Sequence, residues 1–156
     1  MDAIRDKHRA LIDGFTTLYK LLVKMRYLAP DHISYPPHTS PGVDVSLLQS
    51  LGFEDEVIQL TQALPNLKPE VTWGWERKAT QISPESMVLT YLDSKGYAEG
   101  LDVERLRAAN DYYDEDNLLP PWILRLSFGG SYGIHLLYNT KLGRYSIVST
   151  CTGALA

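Results

Sequence analysis

One cysteine, Cys151, stands among the 156 residues. That excludes an internal disulfide and any zinc site built on several cysteines. So few cysteines fit a reducing compartment, cytoplasmic or nuclear. No stretch approaches the roughly 18 apolar residues that a membrane-spanning helix needs, so no contact with a membrane is expected. The opening MDAIRDKHRALIDGF mixes acids and bases and lacks the apolar centre of a secretory signal. Positive charge is in deficit, with 15 Lys and Arg against 19 Asp and Glu, a net −4. A nucleic-acid partner would call for a basic footprint, so none is expected. Catalytic signatures are weak. There is no H-E-x-x-H pair, no P-loop and no EF-hand framework. GGSYG (129–133) has the letters of a G-x-S-x-G elbow, but both its flanks look like strands, whereas that elbow leads from a strand into a helix. No cofactor or metal site is expected.

What is present suits one globular domain over 1–156. Hydrophobic residues make up 44 % of the chain, and this length can bury a core without disulfides or metal. Charge is unevenly spread. Residues 1–28 hold six cations and three acids, +3, which leaves −7 for the remainder. A basic segment of this kind docks on the acidic body or faces an acidic partner.

Ile4, Leu11, Phe15, Leu18, Leu22 and Met25 recur at helical spacing, which predicts one amphipathic helix over about 2–28. His8 falls on this stripe and is expected near the surface at its end. Self-association through this helix, as a homodimer, is a further reading of the same stripe. Four prolines in PDHISYPPHTSPG predict an irregular connector over 30–42. His32 and His38 lie in it, without the third ligand that a metal site needs. Asp44 or Ser46 caps a short helix ending before Gly52. Phe53, Val57, Leu60 and Leu64 define the face of a helix that Pro65 ends. Its acids Glu54, Asp55 and Glu56 sit in the first turn, where the helix dipole favours negative charge. VTWGW (71–75) and MVLTYL (87–92) suit strands, and LDVERLRAAN (101–110) suits a short helix.

From residue 121 the pattern changes. PWILRLSF, GIHLLYN and RYSIVST are strand-like runs separated by glycine-containing gaps, an antiparallel meander over 121–150. The fold class is therefore α+β, with N-terminal helices packed on a β-meander formed mainly by the C-terminal third. The loop in SFGGSYGIHLLYN joins two strands, so its glycines turn a hairpin and do not cradle phosphate.

Two groups of residues could carry function. The acidic run Asp111, Asp114, Glu115 and Asp116, with Tyr112 and Tyr113, offers contact surface to a basic protein. Trp73, Trp75, Tyr132 and His135 could instead line a pocket between sheet and helices, for a small molecule or an enzyme's substrate. Cys151 or Ser149 could be paired with His135 as nucleophile and base, and nothing in their spacing supports it.

The segment LLPPWILRLSFGGSYGIHLLYNTKLGRYSIV resembles the central pattern of the SUKH superfamily. That superfamily includes fungal cell-wall assembly regulators and many bacterial toxin-immunity proteins. Leu119-Pro120-Pro121, Gly129-Gly130 and Asn139-Thr140-Lys141-Leu142-Gly143 carry the likeness, with asparagine at 139 where the family has aspartate. The whole chain, with its helical N-terminal half containing LGFEDEVIQLTQALPNL, is also similar to small filamentous-fungal proteins. The resemblance covers about 118–148 and implies an α+β fold that binds protein without catalysis. It singles out no site residue.

Overall fold

The computed structural model describes residues 2–68, 81–83, 85–92, 106–109, 117–129 and 133–149. Their element order is α1 (Asp2–Lys7), α2 (Arg9–Lys24), β1 (Ile33–Ser34), α3 (Val45–Ser50), α4 (Asp55–Ala63), β2 (Asn66–Leu67), β3 (Gln81–Ser83), β4 (Ser86–Val88), β5 (Ile123–Arg125), β6 (Ser127–Gly129), β7 (Ile134–Asn139) and β8 (Arg144–Ser149). The class is α+β, as expected. The strand expected at 71–75 and most of the helix expected at 101–110 lie outside the described residues. Ala108, inside that last segment, forms an antiparallel bridge with Leu118.

The first helix is not continuous. It breaks at His8, whose backbone (φ −109°, ψ 21°) leaves the helical region, and His8 is buried rather than near the surface. The buried face of α2 is Leu11, Phe15 and Tyr19. Ile12, Leu22 and Val23 pack beside it, Leu18 is partly exposed, and Met25, expected on the stripe, is 65 % exposed. A tyrosine was the missing member, because its ring buries apolar area as well as leucine does.

The connector is more ordered than its prolines suggest. Pro30–His32 form a 3₁₀ turn, and β1 pairs antiparallel with β2, Ile33 with Leu67 and Ser34 with Asn66. Asp44 caps α3 as expected, its Oδ1 accepting from the Leu47 N–H at 2.9 Å, and Gly52 follows the helix at φ +75°. α4 buries Val57, Ile58 and Leu60, and Pro65 follows it directly.

β5, β7 and β8 form a three-stranded antiparallel sheet in the order β5-β7-β8. β6 belongs to a second sheet, β3-β4-β6. β5 and β6 are two halves of one stretch bent at Leu126. At the bend the Ser127 hydroxyl takes the place of ladder groups, donating to the Ile134 carbonyl at 3.0 Å and accepting from the Leu136 N–H at 2.9 Å. Leu124, Arg125, Leu126 and Ser127, which run from β5 into β6, are all buried, so this stretch is covered on both faces. The core cluster draws on α2, α3, α4, β1, β2, β4, β5 and β7. Among the described residues no helix is long and apolar enough to cross a membrane.

Candidate functional site

The most exposed apolar surface of the sheet is β8. The cross-strand row Leu124, Tyr138, Tyr145 runs straight across it. Its members are 0, 3 and 67 % exposed. The helices therefore cover two strands and stop before the third. One step along, Leu136 pairs with Ile147, which is 63 % exposed. Residues 144–147 are exposed on both faces of the strand. β8 pairs only with β7 among the described residues, so its outer edge presents unpaired backbone groups.

The turn that presents β8 is held firmly. Asn139 Oδ1 accepts from the Leu142 N–H at 3.1 Å, and the Asn139 carbonyl accepts from the Gly143 N–H at 2.9 Å. Gly143 sits at φ +63°, where a side chain is disfavoured. Thr140 donates through both its N–H and its hydroxyl to the Trp122 carbonyl. Lys141 lies 3.6 Å above the Trp122 ring and pairs with Glu54 at 2.9 Å. Leu142, at the tip, is 68 % exposed. Asn139 through Gly143 is thus a braced turn, held by its own hydrogen bonds and by the contacts of Thr140 and Lys141 with Trp122 and Glu54.

Behind the strand lies a buried polar lock. His8 Nδ1 is 2.9 Å from the Tyr138 hydroxyl, and His8 Nε2 is 2.8 Å from Glu56 Oε1. A carboxylate only accepts, so Nε2 carries a proton, and on a neutral ring Nδ1 accepts from Tyr138. Lys7 also pairs with Glu56. Burial pulls the Glu56 carboxyl up, but hydrogen bonds from Lys7 and His8 outweigh it and hold it below the usual carboxylate range. Burial, helped by the nearby Glu56 charge, pushes the Tyr138 hydroxyl up. Glu56 was expected only to serve the helix dipole, and here it joins three elements. His8 offered one signal in the sequence, its place on an apolar stripe.

The pocket expected around His135 meets a packed neighbourhood. His135 is 3 % exposed, and its Nδ1 accepts from Arg125 Nη1 at 2.9 Å and from the Gly129 N–H at 3.1 Å. Its ring stands edge-on to Phe128. Trp73, Trp75 and Tyr132 lie outside the described residues, as do Cys151, Tyr112, Tyr113 and the acids Asp111, Asp114, Glu115 and Asp116. The glycine loop leaves β6 and enters β7, so it does connect two strands.

Two other polar groupings are present. Ser34 Oγ is 2.8 Å from His38 Nδ1, and His38 Nε2 donates to the Leu64 carbonyl at 2.8 Å. Burial holds the His38 ring below its ordinary value, against the pull of that carbonyl. A groove of about 460 Å³ is lined by Arg5, Asp6, Arg9, Asp13, Pro36 and Pro65, among others. Arg9 pairs with Asp6 inside it. Its charges largely cancel, unlike those of a site shaped for one ligand. Among the described residues no three of His, Cys, Asp and Glu gather to hold a metal. Comparison with protein-family models, with curated proteins and with solved structures finds no match for this chain.

Proposed function

We propose that the protein is a non-enzymatic binding domain that takes a partner strand along β8. The observation that carries this reading is the row Leu124, Tyr138, Tyr145, in which burial ends abruptly at the sheet edge. Exposed edges are normally blunted by charge, proline or a cover, because they invite strand addition. β8 carries Arg144 but also Tyr145 and Ile147 on one face, so this edge is only half blunted. Strand addition supplies affinity through main-chain hydrogen bonds and specificity through alternate side chains. Tyr145 and Ile147 stand two residues apart and would supply that alternation. The braced turn fixes the strand before a partner arrives, which lowers the entropy lost on binding. The SUKH resemblance of residues 118–148 points to the same class of function.

The test is affinity capture from an extract of the source organism, with wild type beside Ile147→Lys and Tyr145→Asp. Both side chains are more than half exposed, so circular dichroism and melting should be unchanged. A strand-adding partner should be recovered by wild type and lost, by about tenfold or more, from both variants. A partner recovered equally well by all three proteins would remove β8 as the contact.

A further inference from the structure

We propose that the C-terminal half of α2 is a second docking surface, which takes an acidic amphipathic helix of another protein. It rests on residues remote in sequence from β8 and stands or falls separately from the strand-addition reading.

Residues 14–30 contain Lys20, Lys24 and Arg26 and no acid. Two cations of the preceding turns are used within the molecule. Lys7 pairs with Glu56, and Arg9 pairs with Asp6. Lys20 and Lys24 are exposed, and with Arg26 they form no ion pair among the described residues. Cations at a helix C-terminus are favoured by the dipole alone. That account leaves the neighbouring apolar side chains unexplained. Leu21 is 50 % exposed and Met25 65 %.

These side chains form a seam. Gly14, Leu18, Leu21 and Met25 follow a 4-3-4 spacing, the spacing at which one helix packs along another. The seam runs beside the buried face of Leu11, Phe15 and Tyr19. Lys20 and Lys24 flank it on the solvent side. A Cβ built on Gly14 meets nothing within 4 Å, so the upper end of the seam has room for a bulky side chain from a partner. The helix is firm to its end. Arg26 adopts φ +59°, and the Leu22 carbonyl accepts from the N–H groups of Tyr27 and Leu28 at 2.9 and 3.3 Å.

Charge selects the occupant. A second copy of the chain would set another three cations against these, and like charges across an interface are costly. An anionic bilayer would extend past the seam to a protein whose net charge is −4, and would be repelled by it. A helix with an apolar stripe and carboxylates beside it meets only the seam and its cations. It satisfies both.

The probe is a labelled synthetic helix of about three heptads with leucine at the seam positions and glutamate beside them. The control has the same composition with its periodicity scrambled. Fluorescence anisotropy with the whole protein should give saturable binding of the first peptide, weakened by added salt. Scrambling should weaken binding by about tenfold or more, and so should Leu21→Ser or Lys20→Glu with Lys24→Glu. Ile147→Lys should leave it unchanged, which separates this surface from β8. Equal binding of the scrambled peptide would overturn the proposal, as would indifference to the α2 substitutions. So would co-sedimentation with phosphatidylserine vesicles that the same substitutions abolish. A dimer in sedimentation that Leu21→Ser dissociates would assign the seam to a second copy instead.

Discussion

At the scale of single residues, the feature with the largest consequence is His8. Its ring is bonded at both nitrogens, to α4 through Glu56 and to β7 through Tyr138. A buried polar atom that loses its partner costs about 1–3 kcal/mol, more than the net worth of the bond itself. Tyr138→Phe keeps the ring and removes the hydroxyl, leaving His8 Nδ1 without that donor. Urea denaturation should show a loss of about 1–3 kcal/mol with an unchanged slope. A loss under about 0.5 kcal/mol would show that water or a rotated ring replaces the hydroxyl.

Within elements, α2 allows a direct comparison of its two faces. Phe15 is 9 % exposed and belongs to the core, whereas Leu21 is half exposed. Phe15→Ala should cost about 3–5 kcal/mol. Leu21→Ala, in contrast, should stay within about 0.5 kcal/mol of wild type. Equal costs would mean that α2 is rotated from the orientation described. The close approach of the end of β6 to the start of β7 offers a second check. A Cβ on Gly129 would lie 2.8 Å from the Gly133 carbonyl carbon and from the Ile134 nitrogen. Both are backbone atoms, so neither can swing aside. Gly129→Ala should therefore destabilise by about 1–3 kcal/mol, although alanine suits a strand no worse than glycine does. A melting temperature equal to wild type would refute this close approach.

For the molecule as a whole, acid should act in two stages. Burial depresses the His38 ring, so the folded state holds its proton less tightly than the unfolded chain does. The stability this carries is complete above the unfolded value of about 6.5 and declines as pH falls below it. Glu56 is depressed in the folded state too, so its contribution is complete above the usual carboxylate range and is lost at lower pH. Chemical denaturation across pH should show a first decline below about 6.5 that His38→Gln removes, and a second in the carboxylate range that Glu56→Gln removes. A profile for His38→Gln that parallels wild type would exclude His38 as the first group.

Local patterning determined the class of the fold, the amphipathic nature of α2, the Asp44 cap, the face of α4 and the strands of the meander. Each depends on side-chain period or on a backbone preference that operates over a few residues. Tertiary structure decided the rest. The break at His8 has no glycine or proline to announce it, and the partners that hold its ring lie 48 and 130 residues away in Glu56 and Tyr138. The burial of Arg125 and Ser127 beside Leu124 and Leu126 follows from a cover on both faces, which the polarity of these two residues does not announce. The candidate surfaces are of the same kind. Tyr145, Ile147, Leu21 and Met25 have the chemistry of core residues. Whether each is buried depends on where the neighbouring layer ends, and that edge exists only once the chain has folded.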